Sequence, residues 1–130
     1  MNKKLNHIFR YQFPAVLWAV MIFIASSIPA KYLPSQAFFG FDKIVHITLF
    51  FIFGLLVYRA LEPINGSGQI NFARLFFSIA VVIFYGIMDE IHQGSVPGRT
   101  LDAYDALADT VGGLLAGILI YYKRRRIIKE

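Results

Sequence analysis

The 130-residue chain contains no cysteine. That excludes disulfides and thiolate metal sites, and redox chemistry says nothing about the compartment. Acidic residues are scarce: eight, against thirteen lysines and arginines. Charged residues of both signs make up only 16% of the chain, too few to cover an ordinary soluble domain. What remains is 57% hydrophobic, with thirteen phenylalanines, seven tyrosines and a mean hydropathy of +0.57. Length and composition point to one compact membrane domain over residues 1–130. The net charge of +5 does not indicate a nucleic-acid partner. Much of it is the run Lys123-Arg124-Arg125-Arg126 after an apolar segment, a pattern that sets membrane orientation and touches anionic headgroups.

A helix needs about 20 mostly apolar residues to cross roughly 30 Å of hydrocarbon. Four segments approach this, near 13–28, 44–61, 72–91 and 103–122. All are expected to be helical, because backbone amides in lipid must be satisfied within the segment. The expected fold is an all-α, four-helix transmembrane bundle. Pro29 and Pro34 end the first span, and "EPINGSGQ" (62–69) is a turn-rich link before the third. The first segment also fits a signal peptide, with a Lys-Lys start and small residues near Ala30. The reading adopted keeps it as a span.

Basic residues assign sides. Lys3, Lys4, Arg10, Arg59, Arg74, Lys123 to Arg126 and Lys129 account for ten of the thirteen. With those regions in the cytoplasm, the positive-inside rule gives both termini cytoplasmic, N-in/C-in. Asp42, Lys43 and His46 then begin span two on the outer side. Asp89, Glu90, His92 and Gln93 end span three there, and Arg99, Asp102, Asp105 and Asp109 enter span four from it.

Five of the eight acids fall between Tyr85 and Gly113. Residues three and four apart share a helix face. Asp42 and His46 share one, as do Asp89, His92 and Gln93. Asp102, Asp105 and Asp109 form a stripe reaching about two turns into span four. Ionisable groups at that depth face a protein interior or a wet cavity. Gly113 and Gly117 allow close packing of span four against spans two and three, which brings the stripe to Asp89, Glu90 and His46.

Each residue also has a plainer role. Asp102 is placed to cap a helix, and acids at the start of span four suit the helix dipole. Arg99 can pair with an acid for structure alone. Asp42 and Lys43 make an interfacial pair of small weight. His46 reads as a satisfied interior histidine. Seven or more ionisable groups in one pocket are harder to assign to structure, because each buried acid adds a desolvation cost. Three chemistries fit the set. A divalent cation such as Mg²⁺ or Mn²⁺ can act on a phosphate substrate. Asp or Glu beside His suits general acid–base work. In the third, Arg99 and Lys43 grip an anionic headgroup and the acids only position them. A proton relay fits less well, because the stripe stops at Asp109.

The stretch "DEIHQGSVPGRTLDAYDALADTVGG" resembles the VanZ-like membrane proteins, named for a protein associated with teicoplanin resistance. The family pattern falls on Glu90, Gln93, Pro97-Gly98-Arg99, Asp105, Asp109 and Gly112. "DKIVHITLFFIFGLL" resembles its Asp-Lys-x-x-His segment, giving Asp42, Lys43 and His46. "ASSIP" (25–29) resembles the end of its first span, which is why that span is kept. Ser95 stands where an aromatic is common, and Asp109 where Asn is frequent.

The resemblance implies a multi-pass protein of the bacterial inner membrane with a role in the cell envelope and a link to glycopeptide (teicoplanin) tolerance. The expected function is binding or modifying an envelope lipid or lipid-linked precursor headgroup. The alternative is a non-enzymatic accessory protein with a structural polar cluster. Candidate acid or base residues are Glu90, His46 and Asp105. Candidate headgroup contacts are Arg99, Gln93 and Lys43. Asp42, Asp89, Asp105 and Asp109 are candidate cation or proton partners.

Overall fold

A computed structural model describes residues 2–33, 40–64 and 70–127; of Arg126 and Ile127 it describes the backbone only. Pro34, Lys129 and most of the 62–69 link lie outside these residues. Four long helices cover the described chain, and no strand occurs among the described residues. They are α1 (Lys3–Ser26), α2 (Phe41–Ala60), α3 (Phe72–Gln93) and α4 (Ala103–Ile127). All four are long and apolar enough to cross a membrane.

α1 starts ten residues before the apolar run that announces it. Its turn Ile8–Gln12 is π-helical. Pro14 comes two residues after it; it has no N–H for the Arg10 carbonyl, and its ring crowds that carbonyl. A widened turn accommodates both defects. α1 then ends at Ser26, with Ser27 Oγ donating to the Phe23 carbonyl at 2.7 Å.

α4 packs most closely on α2, then on α3. Lipid tails are as apolar as leucine, so helices associate in them through close contact rather than water exclusion. Small residues supply it. A Cβ on Gly112 would stand 2.4 Å from the Ile47 carbonyl oxygen and 2.9 Å from the Phe51 nitrogen. Gly54 opposes Ala116 in the same interface. Gly113 and Gly117 turn instead toward Val82 and Ile79 of α3. The two adjacent glycines, 112 and 113, thus serve different neighbours.

An apolar core of Ile22, Phe50, Phe53, Val57 and Val82 fills the middle, with Trp18 and Tyr85 packed against it. α1 is tied on by two bonds to backbone carbonyls: Trp18 Nε1 to Leu49 at 3.0 Å, and Tyr85 Oη to Ala19 at 2.6 Å. Large apolar side chains stay exposed on all four helices, from Val16 to Ile118. Such a surface suits hydrocarbon and not water. Polar residues gather at the two ends of the bundle.

Candidate functional site

The first polar end is built from the start of α2, the end of α3, the turn after it and the start of α4. That turn carries its own logic. Pro97 and Gly98 are its central residues, Gly98 has φ +75°, and the Arg99 N–H closes on the Val96 carbonyl at 3.0 Å. A proline followed by a positive-φ glycine is the signature of a type II turn. The turn brings Arg99 back over α3, where its Nη2 donates to Gln93 Oε1. Gln93 Nε2 in turn donates to Asp89 Oδ2 at 3.0 Å, one helical turn below. The Ala30 N–H bonds the Pro97 carbonyl at 3.2 Å, fastening the chain after α1 to the same turn.

Asp102 caps α4, accepting from the Tyr104 N–H at 2.8 Å. Its own N–H donates to Glu90 Oε2 at 3.1 Å. The Asp102 carboxyl is held below the ordinary aspartate range, chiefly by the Lys43 ammonium and then by the Tyr104 amide. Lys43 is the hub of this outer layer. Its Nζ lies 2.8 Å from Asp42, 2.6 Å from Asp102 and 2.5 Å from Asp105. An ammonium has three donors, and here all three are used. The plain i, i+4 reading of Asp42 and His46 does not describe their bonds: Asp42 turns to Lys43, and His46 turns to α4.

The inner layer is buried. His46 Nδ1 lies 2.8 Å from Asp109 Oδ1, and His46 Nε2 lies 3.8 Å from Asp105 Oδ2. Asp109 is fully enclosed at 0% exposure, while the Asp102 side chain keeps 36%. Asp89, Glu90, Gln93 and Asp105 are buried too. Among the described residues of this layer, three buried oxygens have no hydrogen-bond partner: Asp89 Oδ1, Glu90 Oε1 and Asp109 Oδ2. Orphaned buried acceptors are uncommon and call for a proton, a water or an ion.

Two sets have ligand atoms within 4.8 Å of one another: His46, Glu90 and Asp109, and Asp42, Asp102 and Asp105. They differ chemically. In the second set the Lys43 ammonium already stands where a cation would stand. The first set offers an imidazole and two carboxylates with orphaned oxygens, a donor set suited to a divalent cation.

All nine candidate site residues, and the capping Asp102 with them, fall at this one end of the bundle. Asp42, Lys43 and His46 come from α2, and Asp89, Glu90 and Gln93 from α3. Asp105 and Asp109 come from α4, and Arg99 and Asp102 from the segment before it. His92 departs from its expected company on α3. Its ring stacks on Phe23, and its Nε2 lies 2.8 Å from Ser27 Oγ. That hydroxyl spends its proton on the Phe23 carbonyl, so the ring nitrogen is the donor. His92 is a clasp between α3 and α1. Gly86 is a site residue that spacing did not single out. A Cβ there would meet Asp109 Cβ at 2.8 Å. The signal was available, since Gly86 lies one turn before Asp89 and Glu90.

A family model described as VanZ/LLP1 matches residues 9–128. No curated protein and no solved structure matches the chain.

Proposed function

The chain belongs to the VanZ/LLP1 family, and from that premise we propose that its acidic pocket binds the phosphate-bearing headgroup of an envelope lipid or lipid-linked precursor. One observation carries this reading. Six carboxylates converge at one end of the bundle, and among the described residues their ion-pair partners are Lys43 and His46, with Arg99 anchored nearby on Gln93. The inner three, Asp89, Glu90 and Asp109, each keep an orphaned oxygen. Such a surplus in a low-dielectric site calls for a bound cation or shared protons.

His46, Glu90 and Asp109 are the residues that would hold a divalent cation. Bound there, it would neutralise the site and polarise a phosphoryl oxygen. The chain's own groups do the rest. Arg99, half-buried and anchored to Gln93, offers the remaining guanidinium donors to an anion. Lys43 fixes α2 to α4 so that the inner acids stay in register. Glu90 and His46 have ligand atoms within 4.8 Å of each other, a separation that one intervening water would span for proton transfer.

The accompanying topology is a bacterial inner-membrane protein with both termini cytoplasmic and this pocket on the outer side. It is supported by the gathering of Arg59, Arg74 and Arg124 at the opposite end of the bundle. A role in the cell envelope, and with it glycopeptide tolerance, is the family-linked extension of this reading.

The second reading is an accessory protein whose polar cluster only joins helices. The threefold satisfaction of Lys43 favours it; the orphaned inner oxygens do not.

Thermal unfolding in lipid nanodiscs separates the two, with and without Mg²⁺ or Mn²⁺, for wild type, Asp109→Asn and Glu90→Gln. Stabilisation of the wild type alone supports the cation-holding pocket. No cation effect on a folded wild type removes the metal. Failure of every variant to fold, with no ligand effect on wild type, supports the structural cluster.

A further inference from the structure

The opposite end of the bundle holds a second polar centre, about 20 Å along α2 from His46 at the helical rise per residue. A cavity of about 400 Å³ opens there, lined by His7, Tyr11, Arg59, Glu62 and Arg124 among others. Glu62 is the only carboxylate among the described residues that line it. One oxygen of that group, Oε2, takes both Arg74 Nη1 at 2.6 Å and Arg124 Nη2 at 3.1 Å. Both guanidiniums lie over the Tyr58 ring, at 4.0 and 5.9 Å from its centroid.

Membrane orientation alone accounts for exposed arginines here, and helix dipoles favour Arg59 and Arg124 at helix C-termini. It does not account for Arg74. Arg74 lies in the first turn of α3, where the dipole disfavours a cation, and it is 9% exposed. Its Nη1 is used by Glu62, while its Nε and Nη2 have no hydrogen-bond partner. Those two nitrogens form the side-on edge of the guanidinium, the edge that takes two oxygens of one phosphate or carboxylate. His7 Nε2 on the cavity wall and Tyr58 Oη behind it are buried and unpartnered as well. Arg59 rests over the Tyr11 ring at 5.3 Å and forms no ion pair among the described residues. The acidic end leaves acceptors orphaned; this end leaves donors.

We infer that this end is a second ligand site, for one phosphate-bearing anion held by Arg59 and His7 at the cavity, with the buried Arg74 guanidinium behind Glu62 adding positive charge. Its position at the helix ends, level with a membrane interface, fits a lipid phosphate; a free phosphate has the same chemistry.

Nanodiscs distinguish the two sources. In discs of phosphatidylcholine with a minor share of phosphatidylglycerol, native mass spectrometry reads the phosphatidylglycerol retained by the protein. In pure phosphatidylcholine discs, thermal unfolding reads the effect of inorganic phosphate. Retained phosphatidylglycerol with no phosphate shift identifies a lipid headgroup, and a phosphate shift identifies a soluble anion. Arg59→Gln, at an exposed position, should weaken whichever binding is seen by about tenfold, the worth of one charge-assisted contact. Lys31→Gln removes the same charge at the other end of the bundle and should change nothing. Neither ligand bound by wild type, Arg59→Gln binding like wild type, or Lys31→Gln losing as much as Arg59→Gln would each overturn the inference.

Discussion

Asp109 is seated against Gly86. A methyl group at position 86 would lie 2.8 Å from Asp109 Cβ and 3.0 Å from its Oδ2. The close approach of α3 to α4 at this point is what aims a fully buried carboxylate at His46. Gly86→Ala should therefore push Asp109 away from His46, at a cost of roughly 1–3 kcal/mol for overpacking. The expected result is a folded protein, less stable than wild type, with no response to divalent cations. A cation response equal to wild type would mean that Asp109 takes no part in cation binding.

Lys43 bridges α2 to α4 through Asp42, Asp102 and Asp105. Lys43→Gln leaves those three carboxylates facing one another without a cation. The partners are partly exposed, so the loss is moderate, about 1–3 kcal/mol. The vacated position is a ring of hard oxygen ligands suited to Mg²⁺ or Mn²⁺. Divalent cations should restore more stability to Lys43→Gln than they add to wild type, in thermal unfolding at neutral pH. Equal responses would place the ammonium outside the interaction that joins the two helices.

The pH dependence of Asp102 follows from the same contact. Its carboxyl is held down in the folded protein, first by Lys43 and then by the Tyr104 amide. A group depressed on folding stabilises above its unfolded value. That contribution is lost as pH falls through the lower, folded value. Stability should thus decline in acid below the ordinary aspartate range of about 4. Asp102→Asn separates charge from capping, because asparagine caps a helix as well as aspartate does. It should flatten the acid side of the stability curve while keeping α4 folded at neutral pH, read by thermal unfolding across pH. An unchanged acid limb would assign the acid sensitivity to other carboxylates.

Hydropathy made the four helices legible, because about 20 apolar residues in lipid have few alternatives to a helix. Spacing made the end of the bundle legible, because Asp102, Asp105 and Asp109 had to share a face. Spacing fixes a face, but it does not fix the neighbour on that face. His46 is one turn from Asp42 yet bonds Asp109. His92 is three residues from Asp89 yet bonds across to Ser27. Both outcomes depend on how far each helix rotates about its own axis, and that is set by glycines 86, 112 and 113. The apolar run that begins at Phe13 hid the polar first turns of α1. Arg74 looked like one more basic flank; its burial depends on Tyr58 and Glu62, which lie twelve or more residues away in sequence.

Gly112 tests whether the site depends on helix approach or only on its own side chains. A Cβ at 112 meets backbone, the Ile47 oxygen at 2.4 Å and the Phe51 nitrogen at 2.9 Å. No side-chain rotation relieves that contact, so α2 and α4 must separate. The separation reaches Lys43, whose bonds to Asp102 and Asp105 cross the same interface, and His46, whose bond to Asp109 does too. Gly112→Ala should cost roughly 3 kcal/mol, the upper part of the overpacking range. It should also abolish the cation response while every site side chain is still present. Gly117→Ala is the comparison. Its Cβ would crowd the end of the Ile79 side chain, at 2.8 Å, which can turn aside, and meet Leu75 Cδ1 at an ordinary 3.8 Å. It should lose little stability and keep the response. If thermal unfolding shows equal losses for the two variants, helix approach at Gly112 is not what holds the polar residues in place.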